Sequence, residues 1–339
     1  MLHSLFLLLF AVPQQATASS ALKQGLIALQ SGDLKRAQAE FEDAANADPS
    51  NPFVWTSLAE TELRLGDTNQ ALASAAKAES TASGKPVVWH ALAMFYAHAG
   101  NFKAAADWEA KYAASAQASP DALSSAAMLA LRAEDFQRAA TLAESGLQRS
   151  PRDPQLNLTL GVARYGQRRF EDAITCFLRV ISIDPSIEQP YVFLGRMLDQ
   201  AGPHLSEITS ASERWLERSP ENAQAHLVLA KALLQSDPRS TRAEQLLRES
   251  IHLDPKDWEA HYELGVLLEN RHAYPEAAAE LQLAITENAN QPMPHYHLAR
   301  VYDRLGKPDE AKAQREIHQR LTSGKTSNGP GSGSAMNDN

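Results

Sequence analysis

Apolar side chains return along this chain in short stripes of helical spacing, each followed by a polar turn, and the stripes themselves recur. Small residues stand at Gly25, Ala59, Ala93, Ala127, Gly161, Gly195, Ala230, Gly265 and Ala299, at intervals of 34, 34, 34, 34, 34, 35, 35 and 34 residues. A second ladder lies twelve residues further on, at Ala37, Ala71, Ala105, Ala139, Ala173, Ala277 and Ala311. Bulk sets the distance between packed helix axes, so small residues at two fixed places let a helix pair close. Large residues such as Trp55, Leu58, Trp89, Leu92 and Tyr96 then fill the space between neighbouring pairs. One pair cannot bury its own apolar stripe, and stability comes from stacking. Turn chemistry agrees. Asn51-Pro52, Ser119-Pro120 and Asp153-Pro154 set a capping side chain before a proline suited to the first helical turn. Gly32, Gly66, Gly100 and Gly306 are placed to end first helices in the left-handed region. Ser19 and Ser20 are expected to cap the opening helix, and the last helix, Lys307 to Leu321, presents Arg315 and His318 where Phe41 and Ala44 stand in the first unit.

The period, with Trp89-x-x-Leu92-Ala93-x-x-Tyr96, Ala37-x-x-x-Phe41 and the turn prolines Pro49, Pro151, Pro185 and Pro255, resembles the tetratricopeptide repeat family over about residues 19–321. The resemblance implies an all-α fold: a right-handed α-solenoid, or superhelix, of antiparallel helix pairs. Nine units are expected, at 19–51, 52–85, 86–119, 120–153, 154–187, 188–222, 223–257, 258–291 and 292–322. Two depart from the pattern. The unit at 188–222 has Glu207 in place of the second-ladder alanine and Gly202-Pro203-His204 at its turn, and 223–257 inserts a residue around Asp237-Pro238-Arg239. A local change of curvature is expected there.

In that family the first helices line a concave groove through their second, fifth, ninth, twelfth and thirteenth positions. Carried over, the fifth and ninth positions read Thr56 and Glu60, His90 and Met94, Ser124 and Met128, Leu158 and Val162. They continue as Val192 and Arg196, Leu227 and Lys231, Tyr262 and Val266, Tyr296 and Arg300. The expected groove is small and apolar in front, basic and aromatic behind. Some family members grip a C-terminal carboxylate with Lys at the fifth position and Asn at the ninth; neither occurs here. The resemblance implies a non-catalytic scaffold that binds a protein or peptide segment.

Composition supports helix, since Ala and Leu are heavily used and 44% of the 339 residues are hydrophobic. The net charge of −9 is spread along the chain, which argues against a nucleic-acid partner. Leu5 to Val12 is an uncharged apolar run, and Ala16-Thr17-Ala18 is a small-x-small cleavage pattern, so residues 1–18 read as an export signal. No other stretch is long enough to span a bilayer, and the expected location is periplasmic or secreted. The Gly, Ser, Asn and Thr-rich residues 323–339 are expected to be disordered.

No catalytic or cofactor motif is present, and neither enzyme activity nor a cofactor is expected. The single Cys176 reads as a small core residue. His226, His261 and His295 share the position of Trp55 and Trp89 in successive units; stacked neighbours lie about 8–10 Å apart, too far for a common metal, so a packing role is expected. His90, Met94 and His98 form a stripe on one helix. The alternative function is a small-ligand or metal-binding periplasmic protein using that stripe, because thioether and imidazole suit copper. An adaptable peptide-contact surface is the plainer reading.

Overall fold

The computed structural model describes residues 18–118 and 121–327. Residues 1–17 of the expected export signal, the expected Ser119-Pro120 cap and residues 328–339 lie outside the described residues. Every regular element among the described residues is helical. In chain order they are α1 (18–30), α2 (Leu34–Ala47), α3 (Pro52–Leu65), α4 (Thr68–Thr81), α5 (Pro86–His98), α6 (Phe102–Ala113), α7 (Ala122–Arg132), α8 (Phe136–Arg149) and α9 (Pro154–Gly166). After them come α10 (Phe170–Ile183), α11 (Gln189–Arg196), α12 (Leu205–Arg218), α13 (Ala223–Ser236), α14 (Thr241–Leu253), α15 (Trp258–Asn270), α16 (Tyr274–Glu287), α17 (Pro292–Arg304) and α18 (Pro308–Ser327). The fold is an all-α solenoid. The chain divides into two compact units at Cys176/Phe177, within α10.

Both ladders lie in the core. Ala37, Ala59, Ala71, Ala93, Ala105, Ala127, Ala139, Ala230, Ala277 and Ala311 are completely buried. In the unit with the inserted residue, Ala243 takes the second rung, one place late, and is equally buried. Successive helices pack in antiparallel pairs, α3 on α4 and α5 on α6 in the first unit, α13 on α14 and α15 on α16 in the second. First helices also touch across pairs: α3 with α5 and α7 with α9, then α11 with α13, α13 with α15 and α15 with α17. Second helices make no comparable contact with one another among the described residues. Within each unit the first helices therefore lie closer to one another than the second helices do.

The caps are as expected at Asn51, whose side chain accepts from Phe53 N–H, and at Asp153, which accepts from Leu156 N–H. Ser19 and Ser20 do not cap. The helix is already formed at residue 18, so both lie inside α1. At the other end α18 runs to Ser327, past the expected boundary at 322. Gly32, Gly66, Gly100 and Gly306 do adopt positive φ. So do Glu134, Arg168 and His272 at the same place in their repeats. Two backbone bonds hold this turn without glycine: Glu134 N–H donates to Leu131 O and Asp135 N–H to Ala130 O, as Gly66 and Asp67 do to Leu63 and Glu62. Cys176 is half-buried, and its neighbour Phe177 fills the core position.

The irregular repeat is rebuilt locally. Helix α11 stops after eight residues, two 3₁₀ turns (Leu198–Gln200 and Gly202–His204) follow, and α12 then packs Trp215 and Ile208 inward.

The recurrent histidines do more than pack. His226, His261 and His295 are buried, and their Nε2 atoms lie 2.8, 3.2 and 3.4 Å from the carbonyls of Pro220, Pro255 and Ala289, each six residues earlier in the turn. Trp55 donates to Pro49 O and Tyr191 to Pro185 O over the same span, and Trp89 to Ala82 O. Each side chain fills core space and ties down the turn that enters its own helix. His261 Nδ1 also lies 2.7 Å from Glu280, and that carboxylate raises the histidine pKa against the opposing effect of burial. A raised folded pKa means that the charged pair stabilises fully below the unfolded value near 6.5 and is lost as pH rises through the folded value. His295 meets the neutral Gln314 at the equivalent place. Glu280→Gln is therefore expected to lower Tm at pH 6 and to make little difference at pH 9; a Tm loss independent of pH would contradict the charged pair.

Candidate functional site

The first-helix wall is also where the apolar surface is. Ten large hydrophobic residues are exposed among the described residues, and seven of them, Leu26, Phe53, Val87, Met94, Met128, Met293 and Tyr296, fall at the second, fifth or ninth positions of first helices. Large apolar side chains exposed at one repeat register mark recognition sites more often than scattered ones do.

In the first unit, α3, α5 and α7 carry Phe53, Val87, Met94 and Met128, each more than two-fifths exposed. Thr56, expected on this wall, is buried instead, because its hydroxyl turns back to Phe53 O at 3.1 Å. Val162 is half-buried on α9. Met128 Sδ accepts from the Gln155 amide at 3.5 Å, so α7 and α9 meet through a ninth-position and a second-position side chain.

The His90, Met94 and His98 side chains do not converge on one another. His90 Nδ1 turns to Glu109 on α6 at 2.8 Å, and the imidazole packs 4.9 Å from the Tyr112 ring. His98 Nδ1 turns the other way, to Glu60 on α3 at 3.2 Å. Burial raises the Glu109 carboxyl while His90 opposes it. Among the described residues no group of three or more His, Cys, Asp or Glu is placed to hold a metal ion. The metal-binding alternative has no support in this geometry.

The second unit replaces apolar surface with paired charge. Lys231 on α13 is ion-paired with Glu259 on α15, and its side chain is only 14% exposed. Arg300 Nε on α17 lies 3.1 Å from Glu269 Oε1, and His297 Nδ1 lies 2.7 Å from the other oxygen of the same buried carboxylate. Tyr262 is half-buried beside His297 at 5.7 Å, and Tyr296 is exposed with the Arg300 guanidinium 5.7 Å away. Arg196 is exposed at the end of α11, next to the Phe193 ring. Burial pushes the Glu263 carboxyl up to about 7, with Glu259 and Asp199 adding to the shift and Lys231 opposing it. Burial likewise raises Asp257, and it carries the Tyr262 phenol well above its ordinary range.

The cations expected on this wall are therefore present, but two of the three are matched by carboxylates. The matching residues were not among the expected site residues. Glu259 and Gln224 occupy second positions, Asp199 and Glu269 twelfth positions, and Phe53 and Val87 second positions in the first unit. The same register that gave the fifth and ninth positions also reaches them.

A family model described as tetratricopeptide repeat matches residues 22–86, 125–186, 206–257 and 238–292, and a second of the same description matches 86–108 and 292–316. No curated protein matches the chain. Among solved structures, MamA is 18% identical with a TM-score of 0.40, covering 50% of this chain and 98% of its own. TTC0263, a thermophilic TPR protein of Thermus thermophilus, is 21% identical with a TM-score of 0.43, covering 51% and 100%. The human IFIT1 dimer with PPP-AAAA is 18% identical with a TM-score of 0.46, covering 80% and 67%. At these identities the likeness concerns the fold, and nothing that those proteins bind carries over.

Proposed function

The chain belongs to the tetratricopeptide repeat family, and from that premise we propose that it is a non-catalytic scaffold whose first-helix wall binds a segment of a partner protein. The concentration of exposed large hydrophobics at second, fifth and ninth positions carries this reading. Scattered surface hydrophobics need no explanation, but these share one repeat register. Phe53, Val87, Met94 and Met128 offer an apolar strip that an unbranched, polarizable methionine adapts to its occupant. The paired charges of the second unit then set register and orientation more than affinity. A net charge of −9 disfavours nucleic acid as the partner.

A photo-crosslinker placed at Met94 or Val87 in the native host tests the reading against the same group at Leu72, exposed on a second helix. Discrete crosslinked partners are expected from the first two sites and not from the third. Equal yields from all three would sink it. The reading includes export, supported by Leu5–Val12 and Ala16-Thr17-Ala18, with a mature protein expected to begin at Ser19. No helix among the described residues is long and apolar enough to cross a membrane.

A further inference from the structure

We propose that the cavity between α11, α13 and α15 is a subsite for an acidic side chain of the bound segment, held by Arg196, with an apolar neighbour seated beneath it. The inference rests on the scaffold reading above and names the chemistry that one part of the wall recognises.

A contact of fixed register recurs between first helices. A ninth-position side chain reaches the second-position side chain of the next repeat: Met128 meets Gln155, and Lys231 meets Glu259. Arg196 holds the ninth position of its repeat, and the second position ahead of it is Gln224. A neutral amide stands where Lys231 has a carboxylate. That amide is itself engaged, donating from Nε2 to Asp257 Oδ2 at 3.0 Å. Among the described residues no carboxylate lies within ion-pair distance of Arg196, while Lys231 and Arg300 each have one. An exposed guanidinium offers a planar donor fork that fits a carboxylate bidentately.

The space beside it has a matching shape. Arg196 lines a cavity of about 380 Å³ whose other walls include Val192, Leu227, Val228 and Trp258. Leu227 and Val228 are almost fully buried, so they form a floor. Gly195 opens the contact with α13, since a Cβ there would stand 2.9 Å from Val228 Cγ2. Lys231 and Glu259 pair with each other, and the Asp257 carboxylate accepts from Gln224 Nε2 and from the Glu259 N–H, which leaves the guanidinium and the apolar floor to select the occupant. Half of the lining residues are polar, and the Arg196 guanidinium is the cation among them without a carboxylate partner.

The test uses the full chain and three fluorescent twelve-residue peptides in a neutral background. One carries an internal Leu-Asp with a blocked C-terminus, one an internal Leu-Asn, and one Leu-Asn internally with a free C-terminal carboxylate after leucine. By fluorescence anisotropy the Leu-Asp peptide is expected to bind roughly ten-fold more tightly than Leu-Asn, the value of one charged hydrogen-bonding contact. Arg196→Gln removes that preference. Gln224→Glu, which supplies the carboxylate from the chain itself, also removes it. Peptides that bind without an acidic preference overturn the subsite and leave the scaffold reading standing. A preference shown only by the free C-terminus, or one that survives both substitutions, overturns it too. If no peptide binds, the subsite falls; the scaffold reading is decided separately by the Met94 and Leu72 crosslinks.

Discussion

Trp215→Ala is expected to cost the second unit about 3–5 kcal/mol, the range for removing a large aromatic side chain from a closed core. Trp215 is one of the largest fully buried side chains described. Its indole stacks on Tyr191 with centroids 4.7 Å apart and planes 25° apart. The pair sits in the repeat least able to lose it. Helix α11 is only eight residues long, and Glu207 stands where a buried alanine closes other pairs. Bulk from α12 fills the space that regular helix packing fills elsewhere. Tyr191 depends on the arrangement as well: its hydroxyl donates to Pro185 O at 3.2 Å and accepts from Arg218 Nη2 at 3.0 Å. The indole Nε1–H itself is buried without a hydrogen-bond partner, so bulk and stacking, rather than that N–H, are its contribution. Trp215→Phe keeps the stack and deletes the unsatisfied donor, and is expected to cost about 1 kcal/mol. Urea unfolding followed by circular dichroism measures both. Because repeat arrays lose cooperativity locally, the midpoint should fall first in probes within 177–327. An alanine variant as stable as the phenylalanine variant would remove the packing argument.

What the sequence reveals of this protein depends on the distance over which each signal acts. The helix pairs, their caps at Asn51 and Asp153 and the left-handed glycines are legible because each is a local rule repeated at a fixed period. Glu134, Arg168 and His272 take the same left-handed place without the residue that announces it, because two backbone bonds and the packing of the next helix hold the turn. The shortening of α11 is foreshadowed by Gly202-Pro203-His204, but its extent is a tertiary outcome. The candidate site is half legible. Its fifth and ninth positions follow from the register, and the register extends equally to Phe53, Val87, Gln224 and Glu259 at second positions. Which of these side chains cancel one another is not a property of one repeat. Lys231 reads as a free cation until Glu259, 28 residues on, is brought against it by stacking. Thr56 reads as groove lining until its hydroxyl turns to its own helix.

Leu281→Ala is expected to lose about 2–5 kcal/mol, and Gly265→Ala, itself destabilising, is expected to give part of that loss back when the two are combined. Leu281 is completely buried on α16, and a Cβ added at Gly265 would stand 2.7 Å from its Cγ and 2.9 Å from its Cδ2. Rotating the leucine relieves only part of the clash, because the α16 backbone N stands 3.3 Å away and must also give slightly. Alone, Gly265→Ala therefore forces α15 and α16 apart, outweighing the roughly 1 kcal/mol by which alanine is the better helix former. The first repeat solves the same contact in the same way, with Gly25 against the Phe41 ring. Two other repeats use the alternative. Ala59 and Ala75, and Ala127 and Ala143, occupy these places at the same spacing of sixteen residues, and all four are completely buried. In these four repeats the contact holds either a glycine with a large partner or two alanines, whereas Ala93 with Glu109 and Gly195 with Ala211 show other pairings at the same spacing. Leu281→Ala leaves a cavity on the α16 side, and a methyl group at 265 projects into it, so the double variant approaches the Ala59/Ala75 arrangement. The coupling should reach at least about 1 kcal/mol, within the range for side chains in direct contact. Strict additivity in the double-mutant cycle would mean that the small-residue ladder reflects helix preference and does not set the distance between the helices.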